Sequence, residues 1–118
     1  MYRSEALLSP QSNVRNMAAL ERYTGEQGSV IGKYRVVAKP IRGNRKTQKN
    51  YAVIVLEDNT EVYLEVFGTP EAQRSKSERE SLNGRVVEVV GQIYRRMPTI
   101  GQGPLAPCIS HIISINAV

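Results

Sequence analysis

The sequence predicts a mainly β protein: five strands, one helix between the third and fourth strands, and a short N-terminal helix or arm. Three observations carry this. β-Branched runs of strand length recur between turn residues, as in GSVIGKYRVVA (residues 28–38) and YAVIVLE (residues 51–57). Apolar and polar residues alternate with period two over residues 61–67 and again over 85–94. One stretch, residues 70–82, is almost wholly polar and opens with helix-start chemistry.

Taken in order, residues 1–24 read as an arm set before a domain spanning 25–118. Ala6, Leu7 and Leu8 form a small apolar cluster in a polar N-terminal stretch, which suits a loose or partner-tethered segment. Ser12 or Asn13 can cap a short helix through Val14, Met17, Ala18 and Tyr23, ending at Gly25. The first strand, 28–38, contains Gly32, the mark of a bulge or bend. The second, 51–57, is joined by the turn residues Asp58-Asn59-Thr60 to the third. In that third strand, 61–67, Val62, Leu64 and Val66 share one face, and Glu61, Tyr63, Glu65 and Phe67 the other.

Thr69, Pro70 and Glu71 then supply an N-cap, a first-turn proline and a first-turn acid. The helix they start runs to about Leu82, where Asn83-Gly84 stops it. Its mixed charges fit a solvated face. The fourth strand, 85–94, sets Val87, Val89 and Ile93 against Glu88, Val90 and Gln92. A Gly/Pro-rich loop follows, and the fifth strand, 108–115, sets Ile109, Ile113 and Ile115 against Ser110 and Ser114.

A chain of 118 residues with 41% hydrophobic content can bury one core without metal or disulfide help. Cys108 is the only cysteine, so no intramolecular disulfide forms and a reducing, cytoplasmic setting is expected. No apolar stretch approaches membrane-spanning length, and Glu5 and Pro10 break the pattern of a signal peptide. Cys108 and His111 fall three apart on one strand and so on opposite faces, which argues against a catalytic pair. His111 has no carboxylate or cysteine neighbours at metal-ligand spacing. Phosphate-loop, dinucleotide and hydrolase motifs are absent. Neither enzymatic activity, nor a cofactor, nor a metal is expected.

Charge is where the chain departs from the ordinary. Its formal net charge is +5 and its isoelectric point about 9.6. Between Lys33 and Lys49 stand seven basic residues and no acidic one: Lys33, Arg35, Lys39, Arg42, Arg45, Lys46 and Lys49. This segment joins the first two strands as a long loop of about 12 residues, a length usually explained by function or disorder. Clustered Arg and Lys beside Gly43 suit phosphate contact. Arg95 and Arg96 open the loop between the fourth and fifth strands and offer a second basic edge. Tyr51, Tyr63 and Phe67 are stacking candidates on the outward face. The same aromatics would equally serve to cover an apolar edge or an oligomer interface.

The strand order resembles the OB-fold. Gly84-Arg85-Val86-Val87-Glu88-Val89-Val90-Gly91-Gln92-Ile93 looks like the fourth-strand pattern G-x-x-V-x-V-x-G-x-V of OB-fold nucleic-acid-binding domains. Ser29-Val30-Ile31-Gly32-Lys33-Tyr34 is similar to their first strand, and YAVIVLEDNTEVYLEVF to their second and third. The resemblance covers roughly residues 25–116. It implies a five-stranded barrel that binds nucleic acid, DNA or RNA and most readily single-stranded, in a cleft between the two basic loops. Lys33, Arg35, Lys39, Arg42, Arg45, Lys46, Lys49, Arg95 and Arg96 would meet phosphates, and Tyr51, Tyr63 and Phe67 the bases. Glu61 and Glu65 share the expected binding face and would repel phosphate. They favour the alternative, an OB-type protein-interaction or homo-oligomeric assembly module.

Overall fold

The computed structural model describes residues 13–41, 44–65, 74–96 and 106–118; the side chains of 39–41 and 44–49 lie outside that description. Within it the elements run β1 (Asn13–Val14), α1 (Met17–Arg22), β2 (Gln27–Ile41), β3 (Asn44–Val55), β4 (Glu61–Leu64), α2 (Lys76–Leu82), β5 (Val86–Tyr94) and β6 (Cys108–Ala117). The protein is mainly β. The strands lie in the order β1-β2-β3-β4-β6-β5, and β2 also pairs with β5, so the sheet closes into a ring. One parallel pair, Tyr63↔Cys108 and Leu64↔Ile109, joins β4 to β6; the other contacts around the ring are antiparallel.

β2 serves two neighbours by changing partner along its length. Gln27–Lys33 pairs with β5, and Lys33–Ile41 pairs with β3. Gly32 sits at the changeover. A Cβ there would stand 2.5 Å from the Val55 carbonyl oxygen and 2.7 Å from Ile54 Cγ2, so only glycine lets the backbones approach this closely. Gly91 plays the same part opposite β6, where an added Cβ would lie 2.7 Å from the Ser110 carbonyl oxygen. The β5–β6 register shifts at that point, between Val90↔Ser114 and Gln92↔Ser110.

The ring's interior holds Val30, Tyr34, Ala52, Ile54, Val62, Leu64, Val87, Val89, Ile93 and Ile109. Val14 and Leu20 are buried in the same cluster, so residues 13–24 contribute to the core. Among the described residues, no helix is long and apolar enough to cross a membrane.

Several expectations are corrected. The described residues form six strands, because Asn13 and Val14 pair in parallel with Ser29 and Val30 instead of entering the N-terminal helix. That helix is capped by Asn16, whose side chain accepts the Ala19 N–H at 2.9 Å. The long basic loop is largely strand. The β2–β3 ladder runs from Lys33↔Val55 to Pro40↔Gln48 and, after a register shift, to Ile41↔Asn44, because backbone pairing needs no apolar side chains. The third predicted strand stops at Leu64: Glu65 takes φ 75, and its N–H donates to the Ile109 carbonyl at 2.8 Å. The helix starts at Lys76 on a Ser75 cap; the predicted cap at Thr69 and first-turn Pro70 lie outside the described residues. In β6 the left-handed His111 (φ 50) and the register shift interrupt the expected alternation. Ile109 and Ile115 lie on the core side as expected, but Ile112 joins them there and Ile113 is 64% exposed.

Candidate binding face

Strand alternation gives the ring an inner face, filled by the core, and an outer one. Register aligns one row of positions across the outer face: Arg35↔Val53, Val53↔Tyr63, Tyr63↔Cys108 and Cys108↔Tyr94. The row crosses β2, β3, β4, β6 and β5, about 19 Å at the usual strand spacing. On one side stand Val37↔Tyr51, and on the other Lys33↔Val55↔Glu61.

A solvated outer face would carry polar residues. This one carries a second apolar cluster. Val53 and Cys108 are fully buried and Tyr63 nearly so, with Val37, Tyr51, Val55, Tyr94 and Ala106 packed around them. The Tyr51 and Tyr63 rings meet edge to face, centroids 6.4 Å apart at 73°. Tyr63 is therefore the floor of the face, contrary to the open stacking position expected for it. Tyr51 and Tyr94 are half-buried and keep part of their surface outward.

Lys33 and Arg35 are exposed at the β2 margin, and neither makes an ion pair among the described residues. With Val37, Val55, Asn59 and Glu61 they line a groove of about 430 Å3. Farther along the ladder Lys39 pairs with Lys49. Arg45 and Lys46 belong to the β3 backbone, their side chains outside the description, as are Arg42 and Phe67 altogether. Arg95 and Arg96 follow Tyr94 directly, at the row's other end, and both are exposed. Arg95 is already engaged: its Nε lies 3.3 Å from Glu21, and its N–H donates to Thr24 Oγ1 at 2.7 Å.

Of the two carboxylates expected on this face, only Glu61 stays. Left-handed Glu65 turns to β6, where its carboxylate accepts the His111 and Ile112 N–H groups, each at 3.3 Å, and lies 3.9 Å from Arg74. Sequence reasoning missed Val53 and Cys108 as the floor. Both lie in apolar runs, VIV and CISHII, where either face could be the buried one.

Titratable groups gather instead beneath α2. Arg74 grips Glu78 with two donors at 2.9 Å each, and the Tyr34 hydroxyl donates to the same carboxylate at 2.8 Å. Burial alone would raise the Glu78 carboxyl, but these hydrogen bonds and the Arg74 charge outweigh it and hold the group below its ordinary value. Tyr34 moves upward, first by burial and then by its bond to Glu78. The network clamps the helix across one end of the ring. Cys108 is pushed up to about 12 by burial, with the Glu65 charge adding to it, so its thiolate is suppressed. Among the described residues no group of His, Cys, Asp and Glu could hold a metal.

Comparisons of the chain with family models, with curated proteins and with solved structures return no match. The function has to be read from the face itself: aromatic and apolar along its length, cationic at its ends.

Proposed function

We propose that the chain is a non-enzymatic module of the OB type that binds single-stranded nucleic acid along this outer face. The observation that carries the reading is the row from Arg35 to Tyr94, with exposed cations that make no ion pair among the described residues at one end and arginines beyond the other. Bases stack on tyrosine faces whatever their sequence, and a single strand leaves those base faces free. Tyr51 and Tyr94 would take bases above the Tyr63 floor. Lys33, Arg35 and the ribbon residues Lys39, Arg42, Arg45, Lys46 and Lys49 would take phosphates, with Arg95 and Arg96 at the far end. The ring, with α2 placed between β4 and β5, supports the OB reading. In that fold oligonucleotides lie across the second and third strands of the barrel, here β3 and β4, between flanking connections. The departure of Glu65 removes one source of repulsion from the path.

Fluorescence anisotropy with short DNA and RNA oligonucleotides tests this. Binding is expected to weaken with salt, with a log–log slope of about −0.7 per phosphate contacted. Absence of binding to either at low salt overturns it. The assembly reading draws on exposed apolar residues away from the row, Val86, Ile113 and Val118. Light scattering on an Ile113→Asp variant separates the two: a dimer lost with oligonucleotide binding retained assigns assembly to that surface.

A further inference from the structure

On the reverse side of the β2–β3 ribbon lies a second concavity. The ribbon contributes Val36 and Asn50, positions of opposite parity to the outer-face row. The facing wall is α2, through Lys76, Arg79 and Glu80, with its C-cap residue Asn83. These are spaced i, i+3, i+4, i+7 and so form one stripe of the helix. The cavity holds about 530 Å3, a volume typical of small-molecule sites.

A helix stripe turned toward its own protein is normally apolar. This one has no apolar member, and α2 is held to the ring through Glu78 and Leu82 instead. Arg79 is the decisive residue. Its Nε is inaccessible to solvent and has no hydrogen-bond partner among the described residues. A guanidinium donor withdrawn from water and left unpaired is costly, and turning it toward an acceptor in the cavity removes the cost. Lys76 supplies a second positive charge. Glu80, the wall's one carboxylate, stands 3.9 Å from Lys76. Asn50 and Asn83 offer amide donors and acceptors, and Val36 an apolar contact.

We propose that this cavity binds a phosphate monoester of mononucleotide size, its phosphate on Arg79 and Lys76, its ring against Val36 and its polar edges on Asn50 and Asn83. Arginine suits the role because its planar fork matches phosphate oxygens in pairs. The phosphate contacts proposed here, Arg79 and Lys76, do not line the outer-face groove, although Val36 borders both concavities. A free nucleotide and the 5′-phosphorylated end of a strand present the same group.

The test is a titration of the 15N-labelled full chain with adenosine monophosphate, followed by NMR. Saturable shifts are expected at the Arg79 Nε–H and at the Asn50 and Asn83 side-chain amides. Arg79→Gln should weaken binding about tenfold or more, the loss of a charged hydrogen bond, and Arg79→Lys should restore part of it. Competition by a 5′-phosphorylated oligonucleotide, but not by its unphosphorylated twin, assigns the site to a strand end; competition by neither assigns it to the free nucleotide. Shifts that fail to saturate, or that map to Lys33 and Arg35, overturn the proposal. So does unchanged affinity in a folded Arg79→Gln protein. Should that variant not fold, Asn50→Ala and Asn83→Ala, at exposed positions, decide: each is expected to weaken binding severalfold, and unchanged affinity in both overturns the site.

Discussion

Beneath α2, Tyr34, Glu78, Arg74 and Glu65 form a chain in which each charged group meets a partner. On the outer face of β2, Lys33 and Arg35 stand exposed with no ion pair among the described residues. Both regions are charged, yet they spend their charge differently. The first satisfies its charges within the protein, so removing one member takes a partner from a neighbour that is itself withdrawn from water. The second leaves them to solvent, where they cost the fold little and remain available to an anion. Partly buried charge here holds the structure together; exposed charge on an apolar face is where a ligand is to be sought.

The sharpest way to break the comparison is Glu78→Ala. It strands the Tyr34 hydroxyl and leaves the Arg74 guanidinium with the more distant Glu65 carboxylate, 3.9 Å away, and a loss of about 1–3 kcal/mol in urea unfolding is expected. A loss below about 0.5 kcal/mol, the level of an ordinary surface substitution, would place the network with the surface pairs instead. The same network predicts a pH signature. Glu78 is held below its ordinary value of 4.5, so its contribution is complete above that pH and vanishes as pH falls through the depressed value. Tyr34 is raised above 10.0, so its contribution is complete below that pH and fades as pH climbs through the raised value. Unfolding free energies measured from pH 2 to 11 should show the acid limb flattened in Glu78→Ala and the alkaline limb reduced only in part, since burial of Tyr34 persists.

On the outer face the expected order reverses: binding falls, while stability holds at the exposed cations and drops only at Tyr51, which packs on Tyr63. Tyr51→Ala should lose about 1–3 kcal/mol of oligonucleotide affinity, the worth of one stacked base, and anisotropy reads it directly. Lys33→Ala with Arg35→Ala should reduce the salt slope by about 1.4, two phosphate contacts, with the unfolding midpoint unmoved. An unchanged slope would remove these residues from the interface. The smallest effect is expected at Arg95→Ala. Its exposed pair with Glu21 should be worth under about 1 kcal/mol of stability.

Legibility in the sequence followed the strength of the alternation. Val87, Val89 and Ile93 alternate cleanly and are all fully buried. The turn at Asp58-Asn59-Thr60 was equally plain, and left-handed Asn59 makes it. Residues 39–50 were read as loop because polar side chains mask strand character, although ladder pairing uses only the backbone. Glu65 looked like a face residue because strict alternation was extended one position past the strand's end. Lys33, Arg35 and Tyr51 were legible as candidate residues from composition and position. The floor made by Val53 and Cys108 was not, because that depends on which neighbour strand lies opposite.

What the sequence determined by itself was local: where β-branched runs form strands, where Asn83-Gly84 ends a helix, and where positive charge collects. These depend on nearest-neighbour sterics and on the period of the side chains. The tertiary structure alone decided that β2 exchanges partners at Gly32, that β4 meets β6 in parallel, and that Arg35 and Tyr94 therefore end one row. Those are contacts between residues far apart in the chain, and their register comes from ring closure and close backbone approach, which no single segment encodes.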